Sequence, residues 1–443
     1  MSNIRSFPKG GLHPPGRKHI SASSAIRNAL LPSLCKVPLT QHIGAPCECL
    51  VAPGDEVKEG MLLGKSKGFI SANIHSPMPG VVKSLDELYL PNGSRCQAVT
   101  IESVGEFDRL GKRQEPVDWS GLSSKDLLEK IALLGIVGLG GAAFPTHVKF
   151  SIPRDKKVYT FVVNGVECEP YLTADYRIML EKTKEIFEGI RIIAKILEPE
   201  RICIGIEINK PDAIEIMTAA AANSGLPVEV VPLQIKYPQG DEKQLLKAII
   251  NREVPSGGLP IDIGAVVSNI GTVFAIYEAV VFEKPLIERI VTVTGGGIKN
   301  PSNLKVRIGT PIQNLLDECG GFTEEPAKIV VGGPMMGFTI YNLDTPVVKG
   351  TSGVLVLTRK EVKTAARTSC IHCGRCVKVC PMGLNPTRLA KQIDHLEYGE
   401  AEGEGLMDCK ECGCCAYACP AQIPLVQSMK LGKLMLRKMK VKS

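Results

Sequence analysis

Between residues 118 and 286 two periodicities alternate along the chain. Apolar positions three and four apart predict helices over 123–134, about 182–197, 212–223 and 241–251. Short runs rich in Val and Ile, at 158–163, 202–208 and 228–231, predict strands between them. Such alternation predicts an α/β layer with a mostly parallel sheet. The longest apolar stretch, 264–282, is interrupted by Ser268, Asn269, Thr272 and Glu278. A membrane span tolerates few such interruptions, so the stretch predicts a buried loop and helix.

The pattern changes on either side. From 37 to 117, short alternating runs with turn signals (APGDEVKEGMLLG, HSPMPGVVKSL) predict a small β-barrel or sandwich. From 287 to 358, strands return in RIVTVTGGG and AKIVVGG around a helix at 312–319, a small α+β unit. Residues 1–36 are polar and rich in Pro and Gly, and read as extended. Residues 359–443 hold nine of the 16 cysteines and form the last unit. The fold class is therefore multidomain α/β.

Composition adds limits. With 44% hydrophobic residues and mean hydropathy +0.08, the chain resembles ordinary soluble proteins. The start, MSNIRSFPKGGLHPPGRKH, lacks the apolar core of a signal peptide. The net charge of +7 is concentrated at the end: Lys430, Lys433, Arg437, Lys438, Lys440 and Lys442 have no acid among them after residue 420. Leu431, Leu434, Met435 and Met439 fall on one helical face among these bases. Such a tail either docks on an anionic membrane or acidic partner, or caps the last domain. Nucleic acid is excluded as a partner, since aromatic interleaving and recognition motifs are missing.

The chemistry is most legible in the cysteines. Cys370, Cys373, Cys376 and Cys380 follow C-x-x-C-x-x-C-x-x-x-C before Pro381, and Cys409, Cys412, Cys415 and Cys419 repeat it before Pro420. This is two-cluster ferredoxin spacing, in which the fourth cysteine ligates the other cluster. One 4Fe-4S cluster is assigned to Cys370, Cys373, Cys376 and Cys419, the second to Cys409, Cys412, Cys415 and Cys380. Structural zinc usually shows two separated C-x-x-C pairs, which fits less well. Cys414 reads as a packed bystander. The scattered remaining cysteines show no secreted disulfide framework, and a reducing compartment suits the chain.

A second signal is GLGGAAFPTHVK at 138–149. Glycine-rich loops let amides approach phosphates, but a lone glycine cluster is weak, and this one does not follow a strand as a dinucleotide fingerprint would. It resembles the flavin-binding loop of the NADH-oxidising subunit of respiratory complex I. NGVECEP at 164–170, YPQGDE at 237–242 and SNIGT at 268–272 are similar to further motifs of that subunit, in the same order. With FPKGGLHPP, QHIGAPC, the barrel segment and the doubled cysteine motif, the whole chain resembles the RnfC subunits of Rnf complexes, which are membrane-bound ferredoxin:NAD oxidoreductases.

That resemblance implies a barrel-sandwich hybrid domain, a Rossmann-like FMN and NADH domain, a β-grasp (soluble-ligand-binding) domain and a ferredoxin-like α-helical domain. It implies FMN, NAD(H) and two 4Fe-4S clusters as cofactors. Gly138, Gly140, Gly141 and Ala142 would lie under FMN, with Lys149 near a phosphate and Asn164 on the flavin or ribityl chain. Phe144 would stack on an NAD ring. Glu167, Glu169 and Glu242 are candidate partners of ribose or carboxamide. Tyr237 and Asp241 belong to the same set, and Asn269 and Thr272 would close the flavin site. No side chain is required as acid or base, because hydride passes directly between nicotinamide and flavin. Val166 departs from the complex I pattern, which has an Asp there, so no contact is carried over at that position.

The barrel also resembles biotinyl or lipoyl carrier domains. Lys67 sits in GKSKGF rather than a carrier-type Met-Lys pair, so the module reads as structural. The implied role is a peripheral subunit on the cytoplasmic face of the bacterial inner membrane. It would exchange electrons with membrane subunits and, through the complex, with ferredoxin. Two alternatives are a cobalamin reductase of microcompartments, whose similar loop lies nearer the N-terminus, and a cluster relay that binds no nucleotide.

Overall fold

In this computed structural model, residues 4–104, 115–363 and 365–442 are described. The centre is a four-stranded parallel sheet in the order Val228–Leu233, Arg201–Glu207, Thr160–Asn164, Ala265–Asn269. Every residue of Arg201–Glu207 after the first is buried, as expected for a strand covered on both faces. Thr183–Leu197 buries Ile186, Phe187, Ile190, Ile193 and Leu197, one stripe at helical spacing. Gly189 on this helix has no room for a side chain, because a Cβ would lie 2.3 Å from the carbonyl of Val273. The helix Ile270–Phe282 can therefore pack closely. Ser124–Leu133 starts with a capping box between Ser123 and Asp126.

The stretch 264–282 corrects one expectation. Its first part is a strand, Ala265–Asn269, at the edge of the parallel sheet, rather than a loop. Four of its residues are buried. No polar alternation marks it, and it runs straight into a helix capped by Asn269, whose side chain accepts from the amides of Gly271 and Thr272. The helix Ala174–Glu181 is a further element outside the sequence expectation.

Before this layer lie two antiparallel sheets. One runs Leu34–Pro38, Arg95–Glu102, Gly80–Tyr89, Glu56–Val57; the other runs Glu48–Cys49, Leu62–Lys65, Ile74–His75. Cys35, Val37, Leu63, Met78, Val99 and Ile101 fill the space between them. After the layer comes a six-stranded mixed sheet: Ile26–Asn28, Ser302–Arg307, Glu288–Thr294, Gly353–Leu357, Lys328–Val331, Phe338–Ile340. Its first edge strand is contributed by the N-terminal segment, in parallel with Ser302–Arg307. Earlier, that segment bridges Arg5 to Leu233 and Leu12 to Tyr237, and Gly11 N–H donates to the Val379 carbonyl at 2.9 Å. It thus ties three layers together.

The final domain is helical and small. Leu389, Ile393, Tyr398, Leu406, Leu425, Met429 and Leu436 form its core. The terminal helix Leu425–Lys442 contributes three of these, so its inner face is a packing face. Lys433 lies on that face, 8% exposed, bonded to the Cys409 carbonyl and to Glu411 Oε1 at 2.8 Å. This removes Lys433 from the expected basic surface. Leu431, Leu434 and Met439 are exposed, whereas Met435 packs partly against the core. Among the described residues no helix is long and apolar enough to cross a membrane.

Candidate functional site

The parallel sheet starts in its interior. The chain enters at Thr160–Asn164, winds outward through Arg201–Glu207 and Val228–Leu233, then returns to the other side as Ala265–Asn269. Strand order therefore reverses between Thr160–Asn164 and Ala265–Asn269. Open α/β sheets bind ligands outside the carboxyl ends of strands at such a point. Asn164 and Asn269 are the last residues of these two strands and are register partners. Asn164 donates to the Gly240 carbonyl at 2.9 Å and accepts from Val166 N–H at 3.1 Å. Asn269 donates to Asp175 at 2.6 Å while capping its helix.

The glycine loop lies against this end of the sheet. Gly140 comes within 3.4 Å of Asn269, measured from an ideal Cβ, and Leu139 N–H donates to Thr272 Oγ1 at 2.8 Å. Gly140 and Gly141 are exposed. Gly141 has φ +100°, and a Cβ there would meet nothing within 4 Å. Among the described residues nothing accepts from the amides of Gly140, Gly141 and Ala142. The loop thus presents free backbone donors beside an open space, which suits a phosphate. Lys149 lies at the same end, donating to Glu242 Oε1 at 2.9 Å and to the Val267 carbonyl at 3.1 Å. Gly138 and Phe144 lie at the base of the loop, where Gly138 N–H donates to the Phe144 carbonyl at 2.8 Å.

Four other residues from the sequence reading are engaged elsewhere. Glu169 accepts from the amides of Met335 and Met336 at 3.1 and 2.9 Å, joining the parallel layer to the mixed sheet. Tyr237, 2% exposed, donates to the Cys412 carbonyl. Asp241 caps the helix Glu242–Ile250 by accepting from Gln244 N–H. Glu167 accepts from Asp175 N–H at 2.8 Å and lies 3.7 Å from Lys18. Burial pushes the carboxyls of Glu167 and Glu169 up to about 7. Glu169, Tyr237 and Asp241 thus spend polar atoms on internal contacts, whereas Glu167 Oε2 has no hydrogen-bond partner among the described residues. Val166 is fully buried against the sheet, and its carbonyl accepts from Lys210 Nζ at 2.8 Å.

The cysteines gather in the crossed arrangement. Cys370, Cys373, Cys376 and Cys419 line one cavity of about 340 Å³. Cys380, Cys409, Cys412 and Cys415 line a second, tighter one. The two halves repeat in backbone geometry. His372 and Glu411, each two residues after the first cysteine of its run, have φ +53° and +54°. Gly374 and Gly413, each after the second cysteine, have φ +69° and +84°. These left-handed turns wrap each run around its cavity. Four thiols around each space are the donor set of a 4Fe-4S cluster. Thr387 Oγ1 lies 3.0 Å from Cys376 Sγ, and Glu411 N–H donates to Cys409 Sγ at 3.4 Å, contacts that tune such sulfurs. Cys414 borders the second cavity but is 1% exposed, with its Sγ 4.0 Å from the Tyr237 carbonyl.

The two cavities differ in their surroundings. The second abuts the parallel layer: Tyr237 bonds Cys412, and Gln244 Nε2 lies 3.3 Å from Met382 Sδ. Cys168, from the 164–170 loop, packs into the same seam. The first faces outward, with Cys373 exposed and Ile371 66% exposed. Sequence reasoning misses this ordering, because nothing local in either cysteine run encodes which one meets the sheet.

Four family models match in chain order: the RnfC barrel sandwich hybrid domain over residues 6–106, the Nuo51 FMN-binding domain over 131–278, the SLBB domain over 290–339 and the 4Fe-4S dicluster domain over 369–423. Among relatives, the chain is 49% identical to the C subunit of the proton-translocating ferredoxin:NAD(+) oxidoreductase complex of Clostridium ljungdahlii, covering 90% of this chain and 87% of that one. It is 45% identical to the Na(+)-translocating counterpart of Acetobacterium woodii, covering 96% of each. It is 44% identical to the C subunit of the ion-translocating oxidoreductase complex of Rhodobacter capsulatus, covering 97% of this chain and 83% of that one.

Proposed function

The chain belongs to the RnfC family, the C subunits of ion-translocating ferredoxin:NAD(+) oxidoreductase complexes, and on that premise we propose how its two sites work together. It is an oxidoreductase subunit that binds FMN, NAD(H) and two 4Fe-4S clusters. It exchanges hydride between NAD(H) and FMN and passes single electrons through the clusters to or from membrane subunits of the complex. The complex couples this traffic to Na⁺ or H⁺ transport and connects it to ferredoxin. The chain sits peripherally, on the cytoplasmic face.

FMN, when bound, supplies the conversion between two-electron hydride chemistry and single electrons that the clusters carry. The chain's residues supply the rest. The amides of Gly140, Gly141 and Ala142 receive the phosphate, with Lys149 adding charge. Asn164 and Asn269 hold the isoalloxazine or ribityl groups at the ends of their strands, and Thr272 fixes the loop against them. Phe144 and Glu242 serve NAD(H). Cys380, Cys409, Cys412 and Cys415 hold the flavin-side cluster. Cys370, Cys373, Cys376 and Cys419 hold the outer one, toward the partners.

The observation that carries this reading is the loop containing Tyr237 and Gly240. Gly240 accepts from Asn164 in the flavin-side pair, and Tyr237 donates to Cys412 in a cluster quartet. The test is an anaerobic NADH titration of the cluster-loaded, flavin-replete chain. Bleaching of flavin absorbance followed by cluster absorbance is expected. A chain with about eight irons that neither retains FMN nor responds to NADH would instead be a relay without nucleotide chemistry.

A further inference from the structure

Arg289 is carried by Glu288–Thr294, in the mixed sheet, yet its guanidinium lies behind the glycine loop of the parallel layer. Nη2 donates to the Leu139 carbonyl at 3.2 Å, and Nη1 donates to the Lys349 carbonyl. Nε has no partner among the described residues. The side chain is 7% exposed, and no carboxylate among the described residues lies within ion-pair distance. Asp175 attracts it only from farther off. Lys349 is similar: 1% exposed, it donates to the carbonyls of Asn73 and Gly135 at 2.7 Å each and has no carboxylate partner among the described residues. Burial pulls the Lys349 ammonium down to about 7, so the standing charge behind the segment leading into the loop is the Arg289 guanidinium, bound by carbonyls. A buried charge with no carboxylate in contact is costly, so an anion on the other side of the loop would relieve it.

The peptide geometry says where that anion sits. In a trans peptide the C=O and N–H point in opposite directions. Arg289 holds the Leu139 carbonyl inward. The N–H of the same peptide belongs to Gly140 and must point outward, into the open space beside Gly141. Leu139's own N–H is already satisfied by Thr272. Without the guanidinium the Leu139 carbonyl loses its partner, and the peptide is free to turn its oxygen toward the ligand.

We infer that Arg289 is a positioning residue, lent by the β-grasp sheet, that orients the Gly140 peptide and makes the glycine loop select a phosphate monoester. This rests on reading the loop as the FMN site and adds that the preference for FMN over its dephosphorylated form, riboflavin, depends on Arg289. The experiment uses the full, cluster-loaded chain stripped of flavin, with FMN and riboflavin affinities measured by fluorescence quenching. Wild type should favour FMN. Arg289→Met should weaken FMN roughly ten- to hundredfold, the size of a lost charge-assisted hydrogen bond, and leave riboflavin close to wild type. Arg289→Lys keeps the charge but loses the fork and should fall between. Equal weakening of both flavins, or unchanged FMN binding, would overturn the proposal. If Arg289→Met fails to fold, judged by iron content and circular dichroism, an unaltered FMN-to-riboflavin ratio in Arg289→Lys overturns it. A wild type that binds both flavins equally defeats the proposal while the loop stays a flavin site. A wild type that binds neither defeats the flavin reading itself.

Discussion

The phenol of Tyr237 crosses a domain seam to donate to the carbonyl of Cys412 at 2.7 Å. Both groups are buried, so this contact fixes the second cysteine quartet against the sheet end that carries Asn164 and Asn269. Tyr237→Phe keeps the ring and leaves the carbonyl unpaired, a cost of about 1–3 kcal/mol. We expect NADH to reduce flavin normally in this variant but electrons to reach the clusters more slowly in stopped-flow absorbance. Identical cluster reduction rates would confine Tyr237 to a purely structural role.

The crossed cavities make a paired prediction. Cys380→Ala should damage the cluster held by Cys409, Cys412 and Cys415, and Cys419→Ala the one held by Cys370, Cys373 and Cys376. Reduced EPR spectra of the two variants should lose complementary signals. If each variant instead loses the signal of its own run, the crossover is wrong.

The legible parts share a physical reason. Cluster ligands must sit at fixed short spacings, so the sequence displays them. The α/β alternation is equally local, and Thr183–Leu197 and Arg201–Glu207 begin within one residue of where the pattern puts them. Ala265–Asn269 escapes the pattern because a buried strand that runs directly into a helix shows neither period cleanly. Glu169 and Tyr237 lie in motifs that point to nucleotide contacts, yet their partners are Met335, Met336 and Cys412, more than 160 residues away. Arg289 meets Leu139 across 150 residues and belongs to no motif. Contacts between domains leave no local period, so only coordinates reveal them.

Glu169 also gives a pH dependence. Burial pushes its carboxyl up to about 7 from an ordinary 4.5, against the opposing pull of the Met335 and Met336 amides. The folded chain therefore binds this proton more tightly than the unfolded chain. By linkage, stability is greatest below about pH 4.5 for this group and falls as pH rises toward 7, by an amount of the order of 3 kcal/mol. Glu169→Gln should flatten part of that slope, with Glu167, likewise pushed up to about 7, leaving a remainder. Urea unfolding at pH 5 and pH 7 checks it, and equal slopes in both proteins would refute the assignment.

The basic tail divides into a packed face and an exposed one. Deleting residues 430–443 would remove Lys433 and Leu436 from the core of the cluster domain as well as its surface charge. A cleaner probe is Arg437→Ser with Lys438→Ser, both exposed. If the tail docks on an anionic surface, this pair should weaken binding to anionic vesicles or to the membrane subunits at low salt. NADH-dependent dye reduction should not change. Added salt should reproduce the loss in wild type, because such contacts are screened. Unaltered association at low salt would leave the helix with only its packing role.

Gly141 and Glu242 should separate the flavin site from the NAD(H) site. Gly141 has φ +100° and open space beyond its Cα. Valine there would clash with nothing in the protein, but β-branching at a left-handed φ is strained, and the side chain would fill the space offered to the phosphate. Gly141→Val should therefore empty the flavin site while iron content stays at the wild-type level, since the cysteine cavities lie in another domain. Glu242 pairs with Lys149 at 2.9 Å, and each side chain is about one-third exposed. Glu242→Ala releases the ammonium without disturbing the loop backbone. Flavin should stay bound while the apparent KM for NADH rises roughly five- to hundredfold, the range expected for one lost hydrogen bond to substrate. Flavin content measured beside NADH:ferricyanide kinetics decides both. A Gly141→Val chain that kept FMN and full activity would remove the loop from the site. A Glu242→Ala chain that lost FMN with no change in KM would assign the Lys149–Glu242 pair to the flavin phosphate instead of NAD(H).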